Sequence, residues 1–376
     1  MNLNKSLITY VFGFGRSNLI SSNKTFADEF FYGYLNFAKE FEEINYIEFE
    51  NNINKNIFNK FLLFISKVLR KISKLSFFLE NICTYQNFRQ LSKTKHIILT
   101  NDRIGLSLMP FLIIYKLFKL NTSTVIVMGL LAKDTNNIFS HAIQRLLLNI
   151  FFKVVDNFIF LSKSEYKQAK VSFRKYKNKF QFIPFCIDTK FWKPIDKKDN
   201  VKNKIIFIGN DSNRLYDLVL DIASDLSQYE FVLVTSNIQK KDVKSKNVTL
   251  IEGSWNRQIL TDDQLKNIYS EAVLSIIPLK NSYQPSGQSV ALQSMSMGVP
   301  VMITNTIGFW DKEVFFNNKN IYFISKNTLK IWVEEINKAI NDRGALSSIS
   351  SYSKSTVNEM YNSDTFYKAI KKVVLK

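Results

Sequence analysis

A chain of 376 residues is long enough for two domains of ordinary size, each with its own hydrophobic core. Apolar residues make up 46% of the chain and charged residues 22%, which excludes a disordered protein. The net charge of +19 indicates an anionic partner (nucleic acid, a membrane surface or phosphorylated small molecules), although the abundance of Asn, Lys and Ile also fits an AT-rich genome.

Short runs of apolar residues alternate with helical patterns along the chain, which is typical of parallel α/β units. In the first half we predict strands at 7–12, 46–49, 96–100, 124–128, 158–161 and 181–183. In the second half we predict strands at 205–208, 231–235, 248–251, 274–277, 301–304 and 321–324. These two groups of six predict an α/β protein with two facing doubly wound, Rossmann-like domains, which would bind ligands at the carboxyl ends of their strands.

The domain boundary is predicted in residues 184–199, which contain two prolines and the charged sequence Asp196-Lys197-Lys198-Asp199. We therefore expect an N-terminal domain at 1–188 and a C-terminal domain at 189–360. The remaining residues, 361–376, are predicted to contain an amphipathic helix over 364–374 that packs back on the N-terminal domain.

Two cysteines and two histidines are too few for a disulfide scaffold or a zinc site; they are Cys83, Cys186, His96 and His141. The N-terminus predicts a short strand rather than a secretory signal, and the longest apolar stretch, 104–120, is interrupted by Pro110 and Lys116. We expect a cytoplasmic protein that needs neither a metal nor another cofactor.

Residues 57–79 form the most amphipathic stretch of the sequence. Its apolar residues recur at spacings of four and three, at Phe61, Ile65, Val68, Ile72, Leu75 and Leu79. Basic residues occupy much of the other side, at Lys60, Lys67, Arg70, Lys71 and Lys74. Two interpretations are open: an interfacial helix on an anionic bilayer, or a domain helix with a solvated basic face.

The second half contains a candidate anion site. After the strand at 274–277 comes a loop, and Ser286-Gly287-Gln288-Ser289 begins a helix that runs to about Met297 and ends at Gly298. Ser286 or Ser289 can cap this helix, and Gly287 lets a ligand approach the backbone. The free amides of the first turn would then face a diphosphate. The alternative is that these residues serve only the geometry of the turn.

A second glycine turn follows the strand at 205–208. Gly209 ends the strand, Asn210 continues the turn, and Arg214 is predicted to begin the next helix. A cation at a helix N-terminus opposes the helix dipole, so its presence favours an anion between the two. The alternative is a surface ion pair of Arg214 with Asp211 or Asp217.

The first strand leads into a third glycine-rich turn that contains Gly13, Gly15 and Arg16. It lacks the full dinucleotide-binding fingerprint. We predict that these residues line the acceptor or phosphate side of a ligand site, with a plain strand-to-helix turn as the alternative.

The second half resembles the retaining glycosyltransferases of family 4, which have the GT-B fold. Their pattern Leu-Glu-Ala-Met-Ala-x-Gly followed by x-Pro-Val corresponds here to Leu292-Gln-Ser-Met-Ser-Met-Gly298 and Val299-Pro300-Val301. The Gly209 turn resembles the family's phosphate-binding turn. Residues 248–278, with Gly253 after the strand, match the family's layout, and 156–192 resemble its crossing into the second domain. The resemblance covers about residues 156–310.

This resemblance implies transfer of a hexose-type unit from a nucleoside diphosphate sugar to a glycan or lipid-linked acceptor, with retention and without a metal. The 1–188 domain would hold the acceptor and the 189–360 domain the donor. It assigns donor binding to Gly209, Asn210, Arg214, Ser286, Gly287, Gln288, Ser289 and Gln293. A lipid-linked acceptor would also suit a peripheral position on the inner face of the cell membrane.

The chain departs from the family at two positions. Pro285 and Gln293 stand where the family usually has glutamates, one towards the sugar and one towards the ribose hydroxyls. No catalytic residue can therefore be assigned from the sequence. A catalytically silent GT-B protein that binds sugars or a partner enzyme is the alternative, whereas a nucleic-acid binder is supported by charge alone, without a recognised motif.

Overall fold

The computed structural model describes residues 6–22, 25–50, 56–133, 135, 137–195, 203–252 and 260–375. The chain divides into two compact units. The first comprises Met1–Asn23, Phe31–Pro184 and Tyr367–Lys376, and the second comprises Lys24–Phe30 and Phe185–Phe366. The charged residues 196–199 of the predicted boundary lie outside the described part of the chain, as does Gly253.

The first unit contains a six-stranded sheet in which all paired strands are parallel, in the order β2-β1-β3-β4-β5-β6. Its strands are β1 (Ser6–Phe12), β2 (Ile44–Glu48), β3 (Thr94–Leu99), β4 (Thr122–Val127), β5 (Asn157–Phe160) and β6 (Phe180–Phe182). Its helices are α1 (Arg16–Ile20), α2 (Tyr34–Glu40), α3 (Ile57–Ser73), α4 (Tyr85–Ser92), α5 (Asp102–Ser107), α6 (Met109–Leu117), α7 (Ile138–Val154) and α8 (Lys163–Ser172).

The second unit also contains a six-stranded parallel sheet, in the order β12-β11-β10-β7-β8-β9. Its strands are β7 (Lys204–Ile208), β8 (Glu230–Val234), β9 (Val248–Ile251), β10 (Ala272–Ile277), β11 (Val301–Thr304) and β12 (Tyr322–Ile324). Its helices are α9 (Tyr216–Asp225), α10 (Asp262–Ser270), α11 (Gln288–Ser296), α12 (Leu329–Asn341) and α13 (Arg343–Met360). The helix α14 (Ser363–Val374) begins in the second unit and ends in the first.

Each predicted strand is present, within two residues at either end. The reason is that the central strands, such as β4, β5 and β10, are buried on both faces and therefore read as short continuous apolar runs between turns. In the second unit, for example, Phe207, Leu233 and Leu274 pack in one core with Trp332 and Ile336 of α12. The prediction of an α/β protein with two doubly wound sheets is confirmed.

The order of the second sheet places its topological switch point between β7 and β10. These two strands are neighbours, but the chain continues from β7 to β8 on one side and from β10 to β11 on the other. The loops that leave their carboxyl ends therefore diverge and leave a crevice, which is where such sheets bind ligands. The loops in question are the two predicted glycine turns, at Gly209 and Gly287.

The helix predicted within 57–79 is shorter than its apolar pattern. Asn56 caps α3 by accepting a hydrogen bond from the Asn59 amide, and Lys74 ends it in the left-handed conformation, with φ of 60°. Leu75 and Leu79 lie beyond the helix and are buried in the core of the first unit. The pattern continued past the helix because the returning chain packs in the same core.

The predicted C-terminal helix is confirmed as α14. Its residues from Tyr367 onward belong to the first unit, where the Tyr367 hydroxyl and the Lys371 ammonium both contact the Glu40 carboxylate. Among the described residues, no helix is both long and apolar enough to cross a bilayer.

Candidate functional site

The two glycine turns of the second unit are joined by backbone hydrogen bonds. The Leu215 amide donates to the Pro278 carbonyl at 3.1 Å, and the Lys280 amide donates to the Asn213 carbonyl at 2.7 Å. Arg214 and Leu279 thereby form an isolated antiparallel bridge. The loop after β7 is thus held against the loop after β10 at the switch point of the sheet.

Arg214 does not begin a helix, contrary to the prediction. The helix α9 starts two residues later, at Tyr216, because the bridge to Leu279 keeps Arg214 extended. The side chain is also not on the surface: Arg214 is 3% exposed. The bridge directs it into the protein rather than towards solvent.

The guanidinium of Arg214 lies between Gly209 and Gly287. A Cβ atom at Gly209 would lie 2.5 Å from the Arg214 Nε, and a Cβ atom at Gly287 would lie 2.9 Å from its Nη1. Real Cβ atoms do not approach neighbours this closely, so both positions need glycine to accommodate the arginine. The space beside Gly287 was predicted to admit a ligand, but Arg214 and Ile277 fill it.

Arg214 is incompletely paired for a buried cation. Its Nε lies 3.0 Å from Oδ2 of Asp211, one of the two partners predicted as the alternative. The Asp211 side chain is 31% exposed. That contact is an ion pair without the alignment of a hydrogen bond, since neither Nε nor Nη1 has a hydrogen-bond partner among the described residues. A buried guanidinium in this state is costly, so an anion bound near the N-terminus of α11 would stabilise it through its charge.

The N-terminus of α11 adds to this positive potential. Gly287 is its N-cap, with φ of 81°, and has no side chain with which to cap the first turn. The Arg214 guanidinium therefore lies beside the positive end of α11, not of α9 as predicted. A cation and a helix N-terminus that face the same point favour a bound anion there.

Neither of the two predicted alternatives, Ser286 or Ser289, caps α11, since its N-cap is Gly287. Ser286 precedes the N-cap, and its hydroxyl accepts a hydrogen bond from the Asn213 side-chain amide at 2.9 Å. Ser289 lies in the first turn of α11 and is half-buried, and Gln288 is buried beside it. The predicted end of the helix is confirmed: Gly298 follows α11 with φ of 72°.

Asn210 supports the neighbouring turn of the sheet. Its side-chain oxygen accepts hydrogen bonds from the Thr235 hydroxyl at 3.0 Å and the Ser236 amide at 2.7 Å, so it organises the loop after β8. The Lys280 ammonium donates a hydrogen bond to the Ser212 carbonyl at 3.0 Å. Both residues therefore stabilise the loops around Arg214.

Gln293 lies in a buried network that the sequence did not predict. Its side-chain nitrogen donates to Oε1 of Glu29 at 2.8 Å, and its oxygen accepts from the Tyr269 hydroxyl at 2.9 Å. Trp192 also donates its indole N–H to Glu29, at 2.9 Å. The predicted contact of Gln293 with a ribose diol is thus replaced by contacts within the second unit.

Glu29 is buried, and burial raises its pKa to about 7 despite the hydrogen bonds from Gln293 and Trp192. No local pattern could have identified this residue, because 264 positions separate it from Gln293. Asn213 was also missed, although the polar sequence of the turn between Gly209 and Arg214 was a usable signal.

In the first unit, the predicted phosphate side at Gly13, Gly15 and Arg16 already holds an anion. The Glu48 carboxylate accepts hydrogen bonds from the backbone amides of Arg16 and Ser17 and from the Ser17 hydroxyl. The first-turn amides of α1 are therefore occupied by Glu48, which disfavours a phosphate contact with these amides. Gly13 and Gly15 themselves adjoin open space, since a Cβ atom at either would meet nothing within 4 Å.

Two carboxylates hold the turn that follows β4. Glu165 accepts hydrogen bonds from the amides of Gly129 and Leu131, both at 2.8 Å, and burial raises its pKa to about 7. Asp102 accepts from the Met128 amide at 3.1 Å, and its pKa is also raised by burial. These contacts fix the backbone at the carboxyl end of β4 near the middle of the first sheet.

Comparison with known proteins identifies the fold. No family model matches the chain, and no curated protein matches it by sequence. Solved structures match it over nearly its whole length. HepE of Anabaena, in complex with UDP and glucose, is similar with a TM-score of 0.65 and 13% identity, over 99% of this chain and 100% of that one.

Two further structures are similar over both chains. A glycosyltransferase of Rickettsia africae has a TM-score of 0.63 and 14% identity, over 99% of each chain. Sucrose-phosphate synthase of Thermosynechococcus elongatus has a TM-score of 0.63 and 11% identity, over 98% of each chain. The chain therefore has the GT-B fold of these glycosyltransferases.

Proposed function

We propose that this protein is a glycosyltransferase whose second unit binds a nucleoside diphosphate sugar. The observation that carries the proposal is the buried Arg214 guanidinium, which lies beside the N-terminus of α11 with its Nη1 unpaired among the described residues. A diphosphate placed there would meet a guanidinium and first-turn amides together. Its negative charge would also stabilise the Arg214 cation electrostatically, beyond what the ion pair with Asp211 provides.

The same arrangement serves the chemistry of transfer. When the bond between the sugar and the diphosphate breaks, negative charge grows on the departing phosphate. Fixed donors in a site with little water stabilise that charge more strongly than water would. Arg214 and the first turn of α11 are held by glycines and by backbone hydrogen bonds, so they need little reorganisation during the reaction. We assign them to leaving-group stabilisation.

The donor base and sugar are proposed from the similar structures. The Anabaena protein was crystallised with UDP and with UDP-glucose, which supports a uridine nucleotide and a hexose as the first donor to test. Gly209, Gly287, Gln288 and Ser289 belong to the same proposed site. Asn210, Ser286 and Gln293 support it through the hydrogen bonds described above.

The family resemblance supports the finer parts of the proposal. They are a glycan or lipid-linked acceptor, retention of anomeric configuration and independence from metals; the low cysteine count supports a cytoplasmic location. In the resembled enzymes a donor phosphate oxygen assists the acceptor hydroxyl, which needs no carboxylate pair in the protein. Gly13 and Gly15 remain the proposed acceptor contacts, because the space beside them is open.

A catalytically silent protein is the second candidate. It is favoured by Gln293, whose amide is engaged by Glu29 and Tyr269, and by Pro285, which cannot replace a carboxylate. Such a protein would bind the donor without transferring its sugar. Release of UDP from UDP-glucose, followed with and without glycan acceptors, distinguishes the two candidates.

The proposal is tested by thermal shift with UDP-, GDP- and dTDP-sugars. We expect one nucleotide series to raise the melting temperature of the intact protein. The shift should be lost in Arg214→Ala and kept in Arg343→Ala, a matched change at an exposed arginine of the same unit. Equal shifts in both variants, or no shift with any nucleotide, would contradict a diphosphate site at Arg214.

A further inference from the structure

The helix α3 in the first unit has three distinct faces. Leu62, Ser66 and Ser73 are buried, and Ile65 and Leu69 pack against the same core. A second set of apolar side chains points away from the core and is exposed: Ile57, Phe58, Phe61, Phe64 and Val68. The third face carries exposed lysines at 60, 67 and 71.

The exposed apolar residues form a continuous stripe. Ile57, Phe61, Phe64 and Val68 follow one another at spacings of four, three and four, which places them in line along one side of the helix. Ile57 is 87% exposed and Phe64 is 63% exposed. The residues of the predicted stripe therefore lie on two faces of the helix. Phe61 and Val68 belong to the exposed line, whereas Ile65 packs on the core.

The surroundings of this stripe are basic. The helix α3 contains Lys60, Lys67, Arg70 and Lys71, with Lys74 directly after it, and no acidic residue. The helix α7 packs against α3, and its Gln144 side chain donates to the Ser73 carbonyl at 3.1 Å. It likewise contains no acidic residue, and it exposes Ile138, Phe139 and Leu146.

We propose that the stripe on α3 (Ile57, Phe61, Phe64 and Val68) docks on an anionic membrane surface, with its apolar side chains inserted below the headgroups. The flanking lysines favour an anionic membrane as the binding partner of this stripe. Phenylalanines beside lysines, without acidic residues, match an interface that is apolar below and anionic above. A second copy of this chain would bring the same positive charge to the contact and be repelled.

This inference does not depend on the proposed transfer reaction. It concerns a surface of the first unit, and it explains why four large apolar residues are exposed in line along one side of α3. The core already receives the other apolar side of α3, so the helix does not need this stripe in order to fold.

The test is flotation of the full chain with vesicles of phosphatidylcholine alone and of phosphatidylcholine mixed with phosphatidylglycerol. We expect binding to the mixed vesicles that weakens as salt is raised, and little binding to the neutral ones. Phe61→Ser/Phe64→Ser should weaken binding by roughly tenfold or more, from lost apolar insertion. Its matched control is Leu117→Ser/Phe118→Ser, which changes two exposed apolar residues of the same unit.

The contribution of the lysine charges to membrane binding is tested with a second variant and its own matched control. Lys60→Gln/Lys67→Gln/Lys71→Gln should weaken binding to mixed vesicles on the order of a hundredfold, because each lysine near such a surface contributes about fivefold. The control variant Lys326→Gln/Lys330→Gln/Lys338→Gln removes the same charge from exposed positions of the second unit. It should lower binding far less.

Site-specific insertion is read by fluorescence. Tryptophan placed by Phe64→Trp should be quenched by brominated lipids, and tryptophan placed by Phe118→Trp should not. The proposal is overturned if the chain fails to bind mixed vesicles, or if either control set reduces binding as much as its partner. Concentration-dependent self-association that Phe61→Ser/Phe64→Ser abolishes, without vesicle binding, would instead identify a second copy as the occupant.

Discussion

Replacing Gly209 by alanine tests the contact between this glycine and Arg214. The new Cβ atom would lie 2.5 Å from Nε, 2.9 Å from Cζ and 3.0 Å from Nη2 of Arg214. The arginine cannot simply move aside, since it is 3% exposed and its backbone is bridged to Leu279. Overpacking of this kind costs about 1–3 kcal/mol of unfolding free energy.

The cost should disappear when the arginine is removed. Gly209 does not have positive φ in the left-handed range, and the arginine side chain supplies the three atoms nearest to the new Cβ. In an Arg214→Ala background, Gly209→Ala should therefore be neutral or stabilising by about 0.4–1 kcal/mol, because alanine restricts the unfolded chain. The double-mutant cycle should give a coupling of about 1–4 kcal/mol, the difference between the two effects of Gly209→Ala.

The assay is denaturant unfolding followed by tryptophan fluorescence. The sequence has no tryptophan before position 192, and Trp192, Trp310 and Trp332 lie in the second unit, so the signal reports mainly that unit. The slope of the transition should stay the same, so that the change lies in stability. If Gly209→Ala costs the same with and without Arg214, the packing described here is incorrect.

Three further predictions concern other parts of the site. Gly15→Ala should lower stability by about 1–2 kcal/mol because Gly15 has φ of 89°, whereas Gly13→Ala, equally free of steric contacts, should change it little in denaturant unfolding followed by circular dichroism. Glu48→Ala should cost about 1–2 kcal/mol and increase hydrogen exchange at the Arg16 and Ser17 amides that its carboxylate now holds; unchanged exchange would refute that cap. Glu29 keeps its proton in the folded state up to its pKa of about 7 but loses it near 4.5 when unfolded, so stability of the second unit should fall by about 3 kcal/mol as pH rises from 4.5 to 7. Glu29→Gln should remove this decline, and the exposed control Glu334→Gln should keep it.

Much of the fold could be predicted because the information is local. The strands of both sheets are short apolar runs, and each was found within two residues of its observed ends. The turns at Gly209 and Gly287 were recognised for the same reason, since a glycine between a buried strand and a helix marks a special backbone position. The end of α11 was predicted because a glycine commonly ends a helix in the left-handed conformation, which Gly298 adopts.

The candidate site itself was only partly predictable. The sequence identified Arg214 as the cation but associated it with the wrong helix, because the bridge to Leu279 joins segments 65 positions apart. It assigned Gln293 to a ligand, whereas the Gln293 side-chain nitrogen donates a hydrogen bond to Glu29, which comes from the distant segment 24–30. It also could not show that Glu48 occupies the amides of α1.

The sequence alone therefore determined the fold class, the strands and the glycine turns, because hydrophobic runs and backbone conformation depend on neighbouring residues. Only the tertiary structure decided which charges meet. The direction of the Arg214 side chain, the partner of Gln293 and the face of α3 that stays exposed each depend on contacts between residues far apart in the chain. Such contacts arise only after the sheets have formed, and no local pattern encodes them.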